Sequence, residues 1–442
     1  MNRLDLRSNT GVRLAIISII SLLLMIPAGM ISGLIIERET RRNEAVGEIS
    51  QKWGQAQTLT GPILTIPVRI TVPPKNEKEL PTVTIHYAHF LPDELDVEGT
   101  VEPEVRYRGI YEAVLYTSNL KMRGSFPVPH PEQFNVKPED ILWGEAFLSL
   151  GIADMKGIRK MISIALGDRE LSGSPGFPAG SVLCSGMSFK APVDPQKGPQ
   201  AFSVNVLLNG SQALELVPLG KETRVAVNSR WRNPSFTGDI LPETRVVQDD
   251  SFSAQWKTFY FNRSYPQQWL DAQICAKNLE DSSFGVKFLM PVDQYQKVLR
   301  TSKYALMFIC LTFLAFVMIE LFTRRLLHPV QYLLIGFAMV LFYSLLLSLT
   351  EHLGFAVSYL AASLGMIALI AGYTRAVMGN LQAGIIAAIV GTLYGFLYFI
   401  LQLQDYALLL GSLGLFAVLG SVMYLTRNID WFTVKKTEDR GR

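Results

Sequence analysis

The stretch from Lys303 to Gly354 decides the fold, because it reads as two apolar runs joined by a short basic link. It consists of KYALMFICLTFLAFVMIELF at residues 303–322, TRRLLHPV at 323–330 and QYLLIGFAMVLFYSLLLSLTEHLG at 331–354. Each apolar run holds about 20 residues, which matches the ~30 Å hydrocarbon core of a bilayer at a rise of 1.5 Å per residue. The stretch therefore predicts a hairpin of two membrane-spanning helices.

The link carries Arg324, Arg325 and His328 and no acid. Short loops rich in Lys and Arg stay in the cytoplasm, so the link is predicted on that side. Glu320 stands four residues before Arg324, a spacing that favours an ion pair, and a proton or ion site is the alternative. His328 is predicted as an interfacial loop residue, with a pH switch as the alternative. Pro329 suits the first turn of the second helix, where its missing N–H is harmless.

Composition supports a membrane protein and argues against nucleic acid. The chain has 442 residues, 49% of them hydrophobic, and a mean hydropathy of +0.23. The apolar residues concentrate in one run near the start and in the last third of the chain. A net charge of +3, without a basic run that has interleaved aromatics, predicts no nucleic-acid partner. The lipid bilayer is the partner that this pattern implies.

The run from Leu14 to Ile36 is the first predicted span. A signal peptide is the rival interpretation, but its core is normally shorter and is followed by small residues, so an uncleaved anchor is favoured. Gly29 and Gly33 form a G-x-x-x-G step that would let another helix approach closely.

Three more apolar runs follow the opening hairpin, at about residues 355–373, 383–401 and 406–425. The second of these carries small residues at every fourth position, which predicts a close helix-packing seam, with a substrate path as the alternative. These residues are Ala383, Ala387, Gly391 and Gly395.

The charges of the loops orient the six predicted spans. Arg375 follows the fourth span and the basic tail 427–442 follows the sixth, whereas the links at 351–352 and 402–405 contain no Lys or Arg. Both termini are therefore predicted in the cytoplasm and the long segment after the first span in the periplasm.

From Gly61 to about Val298 the apolar residues alternate with period two, as in the run from Val68 to Val72. Asn209-Gly210 has the sequence of a hairpin turn. Many short strands with turn signals predict antiparallel sheets, packed as a sandwich or as two linked β units. The predicted fold class is an α+β membrane protein with six transmembrane helices and a large, mainly antiparallel β domain in the periplasm. Its predicted parts are residues 1–36, 37–302 and 303–442.

Motifs of catalysis and metal binding are scarce. Phosphate-loop, zincin and G-x-S-x-G patterns do not occur. Ser118-Asn119-Leu120-Lys121 matches S-x-x-K, but it lies in a strand-like stretch and is attributed to chance. His86 and His89 are three apart on a predicted strand and should face opposite ways. The prediction is a protein that is not an enzyme and has no catalytic residue, cofactor or metal.

The remaining candidates lie at the membrane and among the cysteines. Glu351 and His352 end the third span at its outer mouth, where they could face the β domain, with solvated helix-end residues as the alternative. Tyr343 is among the most polar positions of that span. Cys184 and Cys275 would share an oxidising compartment, so a disulfide between them is left open, while Cys310 should stay a free thiol.

Several strings resemble the CreD family of bacterial inner-membrane proteins. They are Gly61-Pro62 with ILTIPV, the run NPSFTGD at 233–239, PVDQYQ at 291–296, LHPVQYLLIG from Leu327, LTEHLGF from Leu349 and LTRNIDW at 425–431. The resemblance covers nearly the whole chain and is densest from Asp293 onward. It implies a role in cell-envelope integrity and stress response, often beside a sensor-kinase system, and it implies no catalytic residues.

The first hypothesis is therefore a non-enzymatic envelope protein of the inner membrane, whose β domain meets a periplasmic protein or a cell-wall partner. The alternative is a transport or channel component that uses transmembrane helices 2–6, and an envelope hydrolase ranks third. A polar cavity that reaches the middle of the bundle would favour transport.

Overall fold

The computed structural model describes residues 10–72, 82–290, 294–323, 325–403 and 406–427. The chain divides into two compact units. The membrane unit comprises Met1–Arg42 and Val292–Arg442, and the β unit comprises Asn43–Pro291. The chain thus enters the β unit once and leaves it once.

The helices are α1 (Thr10–Leu23), α2 (Met25–Trp53), α3 (Ala276–Glu280), α4 (Gln294–Lys303), α5 (Ala305–Thr323), α6 (Pro329–Leu353), α7 (Phe355–Met378), α8 (Asn380–Gln402) and α9 (Ala407–Thr426). In the described part of the chain, six helical stretches are long and apolar enough to cross a bilayer. The first, Gly11–Trp53, contains α1 and α2, and the other five are α5 to α9. This confirms one apolar span before the β region and five after it.

Aromatic side chains fill the core of the membrane unit. Phe313 of α5 packs edge-on against Tyr332 of α6, with ring centroids 5.2 Å apart, and Phe316 joins them. Pro329 is the first residue of α6, as its sequence position predicted. Of the five C-terminal spans, α5 and α6 have the largest buried share, whereas α9 is not buried.

The predicted small-residue seam of α8 is wrong. A side chain added at Gly391 would only reach ordinary contact with Ile367, and one at Gly395 would meet no described atom within 4 Å. The physical reason is the helical repeat: a step of four residues drifts by about 40°, so such a row leaves the packed face within three steps. Ala383 is buried at its start, and Gly395 is exposed at its end. At Gly29 and Gly33, too, no described atom lies within 4 Å of an added Cβ.

The strands of the β unit are β1 (Gln57–Val72), β2 (Thr82–Phe90), β3 (Glu94–Arg108), β4 (Tyr111–Phe126), β5 (Phe147–Ile152), β6 (Ser163–Leu166), β7 (Arg169–Pro175), β8 (Gly186–Lys190), β9 (Gln200–Ser211), β10 (Ala213–Leu216), β11 (Glu222–Ser229), β12 (Pro234–Gly238), β13 (Thr244–Val247), β14 (Phe252–Phe259), β15 (Gln268–Leu270) and β16 (Phe284–Phe288).

These strands form two sheets that β7 joins, since it pairs with β6 in one sheet and with β8 in the other. The long strand β1 pairs with β2, β5 and β10. Of the pairings between described strands, β1–β10 and β3–β11 are parallel, and the rest are antiparallel. One hydrophobic core contains residues of both sheets, such as Ile66 of β1 and Val97 of β3. The predicted mainly antiparallel β architecture is confirmed.

The predicted hairpin turn at Asn209-Gly210 is wrong, because both residues lie inside β9. Gly210 is opposite Tyr116 of β4, and a side chain at this position would overlap the Tyr116 ring. The Tyr116 hydroxyl crosses the sheet and donates to the carbonyl oxygen of Ala213 at 2.6 Å. The glycine thus makes room for a buried ring, and the strand continues through it.

Candidate functional site

Glu320 lies in the last turns of α5 and is 5% exposed. Its Oε2 is 2.7 Å from Nη2 of Arg13 on α1, and its Oε1 accepts a hydrogen bond of 2.6 Å from the backbone N–H of Leu327. The pair with Arg324 that the sequence predicted lies outside the described residues. The carboxylate therefore binds the first helix to the link between α5 and α6.

The same end of the membrane unit contains His328, which caps α6. Its Nδ1 accepts from the N–H of Val330 at 3.3 Å, and the Gln331 side chain accepts from the N–H of His328 at 2.8 Å. Arg325 donates to the carbonyl oxygen of Met378 at 2.7 Å, where α7 ends. A cation at the carbonyl end of a helix is favourable. These contacts fix the start of α6 and the end of α7.

Tyr343 lies inside the bundle and is 2% exposed. Its ring packs against Phe342, with centroids 5.1 Å apart, and Phe342 in turn contacts Tyr359 of α7 and Tyr394 of α8. The Tyr359 hydroxyl donates to the carbonyl oxygen of Tyr394 at 2.8 Å. Tyr343 thus belongs to an aromatic cluster that joins α6, α7 and α8.

The structure separates Glu351 from His352. The His352 side chain is exposed, whereas that of Glu351 is 11% exposed. Glu351 Oε1 accepts a hydrogen bond of 3.0 Å from the Tyr295 hydroxyl of α4, and Nη1 of Arg38 on α2 lies 4.0 Å away. We call Arg38, Tyr295 and Glu351 the connection cluster.

The connection cluster joins the two segments of the membrane unit that lead to the β unit. Arg38 stands shortly before Arg42, where the first segment ends, and Tyr295 stands shortly after Val292, where the second begins. Gln296 Nε2 also donates to Glu39 Oε1 at 3.4 Å, which ties the same two helices. Sequence reasoning selected Glu351 but missed Arg38 and Tyr295, although Tyr295 lies in the PVDQYQ string.

The histidines of the β unit behave as predicted and face different surroundings. His86 Nδ1 is 2.5 Å from Asp271 Oδ2, whereas His89 is buried with its Nδ1 3.0 Å from Thr65 Oγ1. Burial lowers the pKa of His89 to about 4, although Asp271 opposes the shift. In the described ranges, His, Cys, Asp and Glu side chains form no group of three or more that could hold a metal ion.

The S-x-x-K string lies on β4, as its strand-like pattern indicated. Ser118 is buried and donates to the carbonyl oxygen of Leu208 at 3.2 Å, while Lys121 is exposed. The two side chains therefore lack the shared helical face that the penicillin-recognising chemistry requires. Cys184, Cys275 and Cys310 are all free thiols, so the bridge that the sequence left open is not formed.

Two grooves run along the apolar helices. One, of about 610 Å³, lies among α5, α8 and α9, and the other, of about 530 Å³, lies between α7 and α8. Aliphatic side chains form most of the wall of the first groove, whereas the second is also lined by three tyrosines and two glycines. No carboxylate, amine, guanidinium or imidazole of the described residues lines either groove.

Comparison with known proteins gives matches over nearly the full length. The family model described as "Inner membrane protein CreD" matches residues 9–432. The chain is 33% identical to Inner membrane protein CreD of Escherichia coli (strain K12) over 417 residues. This alignment covers 93% of the chain and 91% of the relative.

Proposed function

The chain belongs to the CreD family of inner membrane proteins, and from this premise we propose a non-enzymatic role in cell-envelope integrity or stress response. In this proposal the β unit binds a periplasmic protein or a cell-wall component. The apolar helices anchor it and transmit its state to the cytoplasmic side, where a sensor-kinase system is the candidate recipient.

The charges of the loops support this orientation. The α5–α6 link and the α7–α8 link carry Arg325 and Arg375, and the residues after α9 are basic. Glu351 lies at the other end of α6, next to a link without Lys or Arg. By the positive-inside rule both termini are cytoplasmic and the connection cluster lies on the periplasmic side.

The connection cluster is the observation that carries the proposal. Glu351 contacts both helices that lead to the β unit, through Tyr295 and Arg38. A change in either connecting segment must therefore strain or break a contact with α6. A helix that only anchors the β unit does not need a carboxylate that contacts both connecting segments. A relay does need a structural element, here α6, whose position depends on both segments.

The transport alternative has less support. Coupled transporters place ionisable groups or broken helices near the bilayer midplane. Here Glu320 and Glu351 lie near the ends of α5 and α6, and each already has a cationic partner. The two grooves are largely apolar. This arrangement favours anchoring and relay over conduction.

The proposal is tested with full-length variants in a strain that lacks the chromosomal copy. Glu351→Gln should insert and accumulate normally but reduce growth under envelope stress, because it loses the charge that attracts Arg38. Tyr295→Phe should give a similar defect, since it removes the hydrogen bond from the other connecting segment. His352→Ala is the matched control, because this exposed neighbour forms no hydrogen bond or ion pair with the described residues of either segment.

Partner capture supplies the second readout. A photo-crosslinking amino acid at exposed positions of the β unit should trap a periplasmic protein or wall fragment in intact cells. Wild-type stress tolerance of both Glu351→Gln and Tyr295→Phe, at normal protein levels, would refute the relay. Absence of any periplasmic crosslink would refute the interaction module.

A further inference from the structure

The groove between α7 and α8 has the size and wall chemistry of a ligand site. Its volume of about 530 Å³ falls within the range of about 300–1,000 Å³ that is typical of small-molecule pockets. The residues that line it are mostly apolar, but they include Tyr359, Ser363, Tyr394 and Tyr398. The groove is thus mainly apolar, with tyrosine and serine residues among those that line it.

Glycines create the space on the α8 side. Gly391 and Gly395 both line the groove, and a Cβ at Gly395 would meet no described atom within 4 Å. The α7 side contributes Val357, Leu360 and Leu364, which are more than half exposed. Because both helices are apolar enough to span a bilayer, the open side of the groove faces hydrocarbon.

Polarity changes with depth along the groove. Tyr359 lies one turn after the start of α7 and Tyr398 one turn before the end of α8, each about 6 Å from its helix end. Ser363 and Tyr394 lie one turn deeper, at about 12 Å, and Ile367 lies at about 18 Å. The residues with hydroxyl groups therefore lie at the two levels nearest the start of α7 and the end of α8, and the level at about 18 Å is apolar.

The Tyr398 hydroxyl is the group on this wall that can donate to a ligand. Tyr398 is partly exposed, whereas the Ser363 oxygen is fully buried beside the Tyr359 hydroxyl. The Tyr359 proton already goes to the carbonyl oxygen of Tyr394. A ligand oxygen that accepts from Tyr398 would therefore add a hydrogen bond at this level of the groove.

We propose that this groove binds one acyl chain of a bilayer glycerophospholipid. The ester end lies at the level of Tyr359 and Tyr398, where a carbonyl oxygen can accept a hydrogen bond from the Tyr398 hydroxyl. The hydrocarbon chain extends past Gly395 toward Ile367. The order of polar and apolar levels matches that of a lipid, whose ester region lies near the membrane surface and whose chain lies below it.

The second groove, among α5, α8 and α9, has its polar side chains at the opposite end of the bundle. Among the described residues that line it, these are Thr323, Gln382 and Ser421, and none of the lining residues is a tyrosine. Thr323 and Gln382 lie near the end of α5 and the start of α8, and Ser421 lies near the end of α9. We place the site between α7 and α8 because, of these two grooves, that one has tyrosine hydroxyls at the level of a lipid ester.

Two photoreactive phosphatidylethanolamines test the site on the full chain reconstituted in vesicles. One probe carries a diazirine near the acyl carboxyl group and the other carries it near the chain end. The first should label peptides at the level of Tyr359 and Tyr398, and the second those at the level of Ile367 and Gly391. Gly395→Phe, which fills the groove, should lower both kinds of labelling at least fivefold.

Gly384→Phe is the matched control, because Gly384 is an exposed glycine of α8 outside the groove with equal free space. It should leave the labelling unchanged. If phenylalanine at residue 395 prevents insertion, Gly395→Leu serves with the same expected loss. Labelling spread evenly over α7, α8 and α9, equal labelling of Gly395→Phe and wild type, or reversed depths for the two probes would each overturn the proposal.

Discussion

The guanidinium of Arg13 lies 2.7 Å from the carboxylate of Glu320, although 307 residues separate them in the chain. The contact fastens α1 near the start of α6, and Arg38 of α2 lies 4.0 Å from Glu351 near the end of α6. The N-terminal helical stretch is thus tied to the C-terminal bundle by an arginine near each end. An ordinary signal anchor would need neither contact.

Arg13→Met should destabilise the membrane unit strongly. It leaves the buried Glu320 without its cation, and removing one partner of a buried pair costs on the order of 3–5 kcal/mol. Arg13→Met combined with Glu320→Met should cost less than Arg13→Met alone, because no unpaired charge then remains. Thermal unfolding of the purified chain in detergent measures both. The pair Arg41–Glu37, which is exposed, is the control, and Arg41→Met should change stability by less than about 1 kcal/mol.

Sequence reasoning succeeded where one physical signal dominates. Runs of about 20 apolar residues can only be buried in hydrocarbon or in a large core, so the spans were predictable from Leu14 onward. Period-two alternation likewise identified β1 and β2, because one face of each strand packs inward. Pro329 marked the start of α6 through its fixed backbone geometry.

Contacts between distant residues could not be predicted in this way. The sequence predicts that Glu320 pairs with Arg324, because helical spacing indicates only which residues close in sequence lie near each other. The structure adds Arg13, which only tertiary packing brings near. Similarly, Asn209-Gly210 has the composition of a turn, but the space requirement of Tyr116 explains the glycine. Local patterns do not reveal which distant side chain needs the room.

His89 should make the β unit less stable in acid. Its folded-state pKa of about 4 lies below the ordinary value of 6.5, so the unfolded chain binds a proton first as the pH falls. Stability is therefore lost between about pH 6.5 and pH 4, by on the order of 2 kcal/mol at pH 5. Urea unfolding followed by tryptophan fluorescence at pH 7 and pH 5 measures the loss. His89→Gln should remove most of it, whereas the exposed His130→Gln should not, and equal pH dependence in all three proteins would contradict this account.

Gly210→Ala should destabilise the β unit although it adds a single methyl group. The new Cβ would overlap the buried Tyr116 ring, and overpacking of a dense core costs about 1–3 kcal/mol. Gly144→Ala provides the matched control, because no described atom lies within 4 Å of a Cβ there. The urea midpoints of the two variants give the comparison. A Gly210→Ala protein as stable as Gly144→Ala would show that the ring shifts without strain.

The free thiols of Cys184 and Cys275 report the orientation of the β unit. Both side chains are exposed, so a membrane-impermeant maleimide can reach them only from the side on which the β unit lies. With the proposed periplasmic orientation, intact spheroplasts should show labelling of both residues without prior reduction. Cys310, within α5, should react poorly, because a membrane-impermeant maleimide does not enter hydrocarbon. A cysteine-free protein with Ala376→Cys, near the end of α7, should react only after the membrane is permeabilised. Labelling of Cys184 that requires permeabilisation would reverse the orientation, and labelling that requires reduction would instead reveal a disulfide between Cys184 and Cys275.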